Sequence, residues 1–543
     1  MYRFARLSFF SFLFVLVSGC SGCSSVAGPG ETCDIELDEP CEEEMNLVCM
    51  AAEDGEDRCL HPAGEICHAE DDACAPESEC VEVDEDEWRC LITEGGSCHP
   101  DEDWCADGLR CEEMEDGGHQ CHQEVVVQGV VFDAETLAAI AGAHVIGFDD
   151  ERRALSDVAI TDAEGEYQMT VPAVRDEDGV PIQQFFTLRA SAQDYQTFPG
   201  GIRQAQPIDI SQAGELDDQW VIDTTQTDIA LLELPEGQRG YPHISGTVDI
   251  DDGLGGVLVV AEPQGVDPEE SEEPVGFSAV SGVDGSFTIF NVPPDSYDVR
   301  GYLGGVQIVP EEVTMSDQNV EDVILTESSE GLRDVSGTIQ IVRTSGETSV
   351  LLISAATFDE MTVRGEAPAG LRAPETGPGN ISNDGEWTIE GVPAGKYVVM
   401  AAYEMDGLVR SPDEGIAGTD IIHIEVPEGS GEFDVGDSFK VTLALQTYEP
   451  GAEGPEAVTD PPVLAWHGDI TNADHYDVEV FDAFGNIVFT EDGIPHEGGQ
   501  GRYEVQYDGP LDEGMYYQFR AIAHRMGSPV SSTEFLTGVF YVE

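Results

Sequence analysis

Fourteen cysteines carry the most specific chemical signal in this sequence, and all of them lie before residue 122. Twelve form three successive quartets: Cys33, Cys41, Cys49 and Cys59; Cys67, Cys74, Cys80 and Cys90; Cys98, Cys105, Cys111 and Cys121. The second and third quartets share identical internal spacing, and nine residues separate the last two cysteines in all three. Each quartet opens on a Gly-x-x-Cys phrase, at Gly30, Gly64 and Gly95. Thiols in such numbers either ligate zinc or oxidise to disulfides. Structural zinc sites draw on close pairs such as Cys-x-x-Cys, and no quartet contains one. His61, His68, His99, His119 and His122 lie nearby, but among aspartates and glutamates. Even-numbered cysteines in units too small to bury a core read instead as disulfides. A bridge closing a loop of about 15 residues contributes roughly 3 kcal/mol in the chain-entropy account, so two per unit offset the missing core. Three pairings are open within a quartet, and first-to-third with second-to-fourth is favoured. Cys23 is left as an odd thiol.

Other chemistry is sparse. The chain has no Gly-x-Ser-x-Gly elbow, no P-loop, no dinucleotide fingerprint after a strand and no His-Glu-x-x-His, so no enzyme, cofactor or metal centre is expected. With 110 acidic residues against 22 basic ones, a net charge of -88, the proximity of two carboxylates says nothing about acid–base catalysis. Asp249-Ile-Asp251-Asp252-Gly253 is the best calcium candidate, but the closing glutamate of an EF-hand is missing at its fixed distance. A solvated acidic turn is the default there. So acidic a surface repels nucleic acids and anionic headgroups, and no nucleic-acid partner is expected. Hydrophobic residues at 41% are enough to fill cores, and 543 residues suggest about three to five domains. Trp220, in Asp217-Asp-Gln-Trp-Val-Ile, is the one aromatic singled out as a possible ligand platform; strand packing is the competing role.

The amino-terminus points to export. Arg3 and Arg6 precede an apolar run, Leu7 to Val17, that is too short to span a bilayer and has signal-peptide proportions. It ends in Val17-Ser18-Gly19-Cys20, which resembles the lipobox of bacterial lipoproteins. The resemblance implies cleavage after Gly19, lipidation of Cys20 and attachment to the membrane through that lipid. Ser21 after the anchor implies onward transport to the outer membrane and the cell surface. Residues 1–19 then form the signal peptide, 20–32 a lipidated tether and 33–122 the cysteine repeats.

Beyond Cys121 short alternating segments between Gly and Pro turns predict antiparallel β-structure. A two-part phrase recurs. The first part is apolar-x-Gly-x-apolar, centred on Gly129, Gly246 and Gly337. The second is an acidic residue, Gly, an aromatic two places later, then Val-Pro: Glu164-Gly165 to Tyr167 and Pro172, Asp284-Gly285 to Phe287 and Pro293, Asp384-Gly385 to Trp387 and Pro393. Its pattern is that of a hairpin with the aromatic in the core, so Trp387, aligned with Tyr167 and Phe287, is expected inside. These segments resemble the carboxypeptidase regulatory-like family, a transthyretin-like sandwich, at 125–235, 240–328 and 333–446, the last with a Pro/Gly loop from Glu366 to Asn380. No peptidase precedes them. The stretch 447–461 reads as a linker. Residues 462–543 resemble a fibronectin type III domain, with Trp466, Tyr476 and a tyrosine corner at Tyr517. The expected fold is therefore all-β: tandem Ig-like or transthyretin-like β-sandwiches preceded by small disulfide-rich repeats. The expected function is non-catalytic binding, adhesion or display at the cell surface, towards an extracellular protein or glycan. A carbohydrate-binding module, from the fold's kinship with starch-binding-like domains, and a structural envelope spacer are the alternatives.

Overall fold

The computed structural model describes residues 29–542 except 34–40, 42–45, 53–55, 68–72, 85–86, 101, 103, 150, 201–202, 217–218, 251–254, 272, 342–347, 361–363, 374–385, 404–420, 442–443, 469–472, 498 and 535. Cys20, Cys23 and the expected signal-peptide residues 1–19 lie outside these residues, as do Asp251, Asp252 and Gly253. The chain divides into two compact units, one of the cysteine repeats and one of nearly everything after them.

In the first unit each repeat is a β-hairpin: Val48–Ala51 with Asp57–Leu60, Ser78–Asp84 with Glu87–Ile92, and Arg110–Glu113 with His119–His122. Each quartet is bridged first-to-third and second-to-fourth: Cys33–Cys49 and Cys41–Cys59, Cys67–Cys80 and Cys74–Cys90, Cys98–Cys111 and Cys105–Cys121. The Gly-x-x-Cys phrase lies along the last strand of its own hairpin. The N–H groups of Gly30, Gly64 and Gly95 each donate to the carbonyl of the quartet's fourth cysteine at 2.8 Å. All three glycines have positive φ, a conformation that costs a residue with a Cβ. Gly64 also faces the Trp104 ring, where a Cβ would have no room. The bridges themselves are the cores, with Cys59, Cys90 and Cys121 fully buried.

The second unit is a series of β-sandwiches, and three of them repeat one plan. In the first, Val125–Asp133 lies between antiparallel Glu166–Val171 and parallel Gln219–Ile222, with Ile229–Leu231 also parallel to it. Its facing sheet orders Ile208–Asp209, Phe185–Ser191, His144–Phe148 and Ala159–Ile160. In the second, Ile244–Asp249 lies between antiparallel Ser286–Ile289 and parallel Val320–Thr326. In the third, Arg333–Ile341 lies between antiparallel Glu386–Val392 and parallel Gly431–Val441.

The repeated phrase has a single physical cause. Gly129 is the register partner of Tyr167, Gly246 of Phe287 and Gly337 of Trp387. A Cβ on Gly129 would come within 3.0 Å of the carbonyl of Thr227, in the turn before Ile229–Leu231, one on Gly246 within 3.0 Å of the carbonyl of Val323 on the last strand, and one on Gly337 would meet the Trp387 ring. The first strand must be bare at that point because a neighbouring backbone carbonyl, the aromatic ring, or both occupy the space. All three aromatics are buried, Trp387 among them.

The turn before the aromatic differs from the expected hairpin. Gly165 and Gly285 have the required positive φ, but Ala159–Ile160 and Glu166–Val171 belong to opposite sheets, as do Phe277–Val280 and Ser286–Ile289. The tight turn is thus an arch across the sandwich.

Residues 447–461 are not a linker. Gln446–Glu449 pairs with Val463–His467, and Glu456–Ala457 pairs with Val539–Tyr541, so this Pro- and Gly-rich segment forms edge strands of the carboxy-terminal sandwich. Leu445 already lies in that sandwich's core. Prolines and glycines are compatible with such short edge strands, which their composition disguised. The remaining strands order as Val463–His467 with Arg502–Gln506, and His475–Asp482 between Ile487–Pro495 and Tyr516–Arg525. Trp466, Tyr476 and Tyr517 fill this core, and the Tyr517 hydroxyl accepts from the Asp512 N–H at 2.9 Å, the contact a tyrosine corner makes.

Candidate functional site

The sandwiches are not beads on flexible string. Ile146 and Phe148 of the first, Leu258, Val260 and Tyr302 of the second, and Val350, Leu352, Tyr397 and Val399 of the third belong to one buried cluster. Tyr302 and Tyr397 meet edge-to-face at 5.6 Å. The Tyr302 hydroxyl donates to Glu262, whose carboxyl burial pushes up while Tyr302 and Arg300 pull it back. Burial drives both tyrosine hydroxyls well above their ordinary range.

The joint between the first and second sandwiches is polar and built around one side chain. Asn291, in the left-handed conformation just before Val292-Pro293, is almost wholly buried. Its amide nitrogen donates to the carbonyls of Ala192 and Tyr195 at 3.1 and 3.2 Å. Its oxygen accepts from Asp194 N–H at 2.7 Å and from the Gln193 amide at 2.8 Å. All the amide's hydrogen-bonding capacity is spent on one turn of the neighbouring module. His144 packs edge-to-face on Phe290 at 4.9 Å, and burial, helped by His243, pushes its imidazole down to about 4.

An ion cluster ties all three modules together. Glu366 of the third sandwich receives Arg189 Nη2 at 3.2 Å and Arg152 Nη2 at 3.7 Å, both from the first. Ser278 of the second donates to the same carboxylate at 3.4 Å and accepts from Arg189 at 3.3 Å. Burial raises the Glu366 carboxyl, but the Arg189 and Arg152 charges and these hydrogen bonds outweigh it and hold the group below its ordinary value. The carboxy-terminal sandwich packs on the first one: Tyr516 donates to Gln212 at 2.7 Å, Arg203 to the Phe484 carbonyl at 2.8 Å, and Phe132 meets Phe484 at 5.3 Å.

Of the residues singled out from sequence, Trp220 is half-buried against the first sandwich's core on Gln219–Ile222. The ring packs in part against that core and keeps part of its surface exposed. Asp249 ends the strand Ile244–Asp249, and the acidic residues that follow it lie outside the described segments. The twelve quartet cysteines are all in bridges, as given above. Between Glu311–Thr314 and Val320–Thr326 runs an open groove of about 420 Å³. Glu311, Glu312, Thr314 and Asp322 supply its polar lining.

One chemically organised cluster escaped the sequence reading. His475, Asp477 and His524 converge on the outer face of the carboxy-terminal sandwich, with one donor atom of each within 4.8 Å of the others. His475 and Asp477 form a His-x-Asp pair on one strand, which is visible in the sequence. The third member comes from a strand more than forty residues away and needed the register to be found.

No family profile and no curated protein sequence matches the chain. Similar solved structures include the TIE protein of Bacillus anthracis, 9% identical, covering 74% of this chain and 68% of that one at a TM-score of 0.13. Another is BcpA, the major pilin subunit of Bacillus cereus, at 11% identity, 59% and 99% coverage and a TM-score of 0.15. A DUF3823 family protein from Bacteroides ovatus is 12% identical, covering 39% and 100% at a TM-score of 0.19. Scores this low carry no argument about function. Among the described residues, no helix is long and apolar enough to cross a membrane.

Proposed function

We propose that this chain is a non-catalytic, lipid-anchored surface protein that presents joined β-sandwiches outside the cell for adhesion or binding. The supporting observation is the way the sandwiches are joined. Buried aromatics, the Asn291 clasp and the Glu366 cluster give fixed joints, and a protein whose task is to hold surfaces in set positions needs such joints. The disulfide repeats fit an oxidising exterior. Cys20 is the proposed point of lipid attachment, with the outer membrane as its destination. The three repeats are proposed to be carboxypeptidase regulatory-like modules without a peptidase. The carboxy-terminal sandwich is proposed to be fibronectin type III-like, a reading supported by its buried Trp466 and the Tyr517 corner. The partner class is an extracellular protein or glycan.

The test is a Cys20→Ala protein expressed beside the native chain. The native protein should incorporate labelled acyl chains and be digested by protease added to intact cells. The variant should lose the label and stay unprocessed. A native protein that takes up no acyl label, or that added protease cannot reach, refutes the proposal. A glycan array probed with the chain from Ser24 onward separates the partner classes: binding abolished by Trp220→Ala would select the carbohydrate alternative.

A further inference from the structure

We infer that His475, Asp477 and His524 form a binding site for one divalent first-row transition ion, of the zinc type, on the outer face of the carboxy-terminal sandwich. The strands fix the geometry. His475 and His524 are direct register partners on the antiparallel strands His475–Asp482 and Tyr516–Arg525, and Asp477 lies two residues along on the same face. The two imidazoles stack in parallel, with centroids 4.9 Å apart and planes 4° from coplanar. Both turn Nε2 towards one carboxylate, His524 at 3.0 Å from Oδ2 and His475 at 3.7 Å from Oδ1. Donors around a tetrahedral ion with bonds of about 2.0–2.1 Å stand about 3.3 Å apart, so these three need little rearrangement.

The carboxylate is also oriented from behind: Gly493 N–H donates to Asp477 Oδ1 at 2.7 Å, the kind of outer support that ligating groups have. A purely structural role explains less. One histidine suffices to pair with Asp477, and a second parallel imidazole adds repulsion whenever both are charged. A cation between the rings and the carboxylate uses all three lone pairs. Asp492 adds further negative potential beside His524. The three side chains keep 33%, 23% and 18% of their surface in the order His475, Asp477, His524, so an ion enters directly from solvent and retains open positions for water or an outside ligand. Two nitrogens and one oxygen favour zinc and its neighbours over calcium or magnesium, which prefer all-oxygen shells.

The test uses the full, oxidised chain in physiological salt with millimolar Ca²⁺ present, so that the many exposed carboxylates are already occupied. Zn²⁺ is titrated calorimetrically, and Co²⁺ is added separately to read its visible bands. One equivalent of Zn²⁺ should bind, and Co²⁺ should give the bands of a low-coordinate nitrogen–oxygen site. His475→Ala and His524→Ala should each lower Zn²⁺ affinity by about a hundredfold or more and abolish the Co²⁺ bands, with metal-free melting close to the native value. The proposal is overturned if Zn²⁺ does not saturate at one equivalent, or if binding survives in both variants. Should either variant unfold, Asp477→Asn, which keeps the shape and removes the anionic donor, must show the same loss for the proposal to stand.

Discussion

Replacing Glu366 by glutamine should loosen the joint between three sandwiches without touching any of their cores. Attraction between unit charges at 3.2 Å is roughly 5 kcal/mol at an effective dielectric of about 20, and Arg152 at 3.7 Å adds slightly less. Most of this gross figure offsets the desolvation of three charges, so the cluster's net contribution is small. Removing one partner is a different matter. Arg189 keeps only 4% of its side-chain surface and Arg152 13%, so Glu366→Gln leaves two guanidiniums in each other's company without their shared carboxylate, with Asp149 still acting on Arg152. Breaking a buried pair in this way costs about 3–5 kcal/mol. Spread over a cooperative block of about 320 residues, that lowers the calorimetric midpoint by roughly 4–7 °C.

The acidity dependence has a definite sign. The folded carboxyl lies below its ordinary value of 4.5, so its contribution is present in full above that pH. It is lost as the pH falls through the depressed folded value. The native chain should therefore lose this part of its stability in acid, and Glu366→Gln should not. A double substitution with Arg189→Gln should recover part of the loss, because the stranded charge goes too. If Glu366→Gln melts within a degree of the native chain at neutral pH, the three-way ion cluster does not hold the joint and the argument fails.

Gly246→Ala should cost about 2 kcal/mol or more, because its Cβ meets the Val323 carbonyl, whereas Gly214→Ala, facing open space, should stay within about 0.5 kcal/mol in the same urea titration. His144 has its folded value depressed from 6.5 to about 4, so the folded state binds fewer protons than the unfolded state between those values. Stability should fall as the pH drops through that window, and His144→Phe should flatten this part of a plot of melting temperature against pH. Salt should raise the melting temperature gradually, whatever the cation, because screening weakens repulsion among so many carboxylates. A sharp, saturable rise in millimolar Ca²⁺ that matched NaCl does not give, and that Asp251→Ala removes, would establish the Asp249 loop as a calcium site instead.

How much of this was legible depended on the distance over which the physics acts. The Gly-x-x-Cys phrase, the cysteine spacing and the glycine–aromatic repeat are local patterns imposed by strand packing, and they were readable in the sequence as repeats. Their cause was not. That Gly246 sits opposite Phe287 is a fact of register, and the arch that brings the two together looks like a hairpin when only its turn residues are seen. The joints were invisible for the same reason. Arg152, Arg189, Ser278 and Glu366 span more than two hundred residues, and in so acidic a chain a single glutamate in a Pro/Gly loop attracts no notice. His524 is likewise unremarkable until the register places it beside His475.

The parallel pairing of first and last strands has a mechanical consequence. In the third sandwich Arg333–Ile341 runs alongside Gly431–Val441 from Arg333↔Gly431 to Ile341↔Val441, and in the second Ile244–Asp249 runs alongside Val320–Thr326. The chain therefore enters each module at one end of a ladder and leaves at the other. A pull along the chain loads the hydrogen bonds of that ladder in shear, all together, where an antiparallel pair pulled from one end would open like a zip, one bond at a time. Each of these modules resists a pull applied to its two chain ends, and gives way only when the whole ladder slips at once.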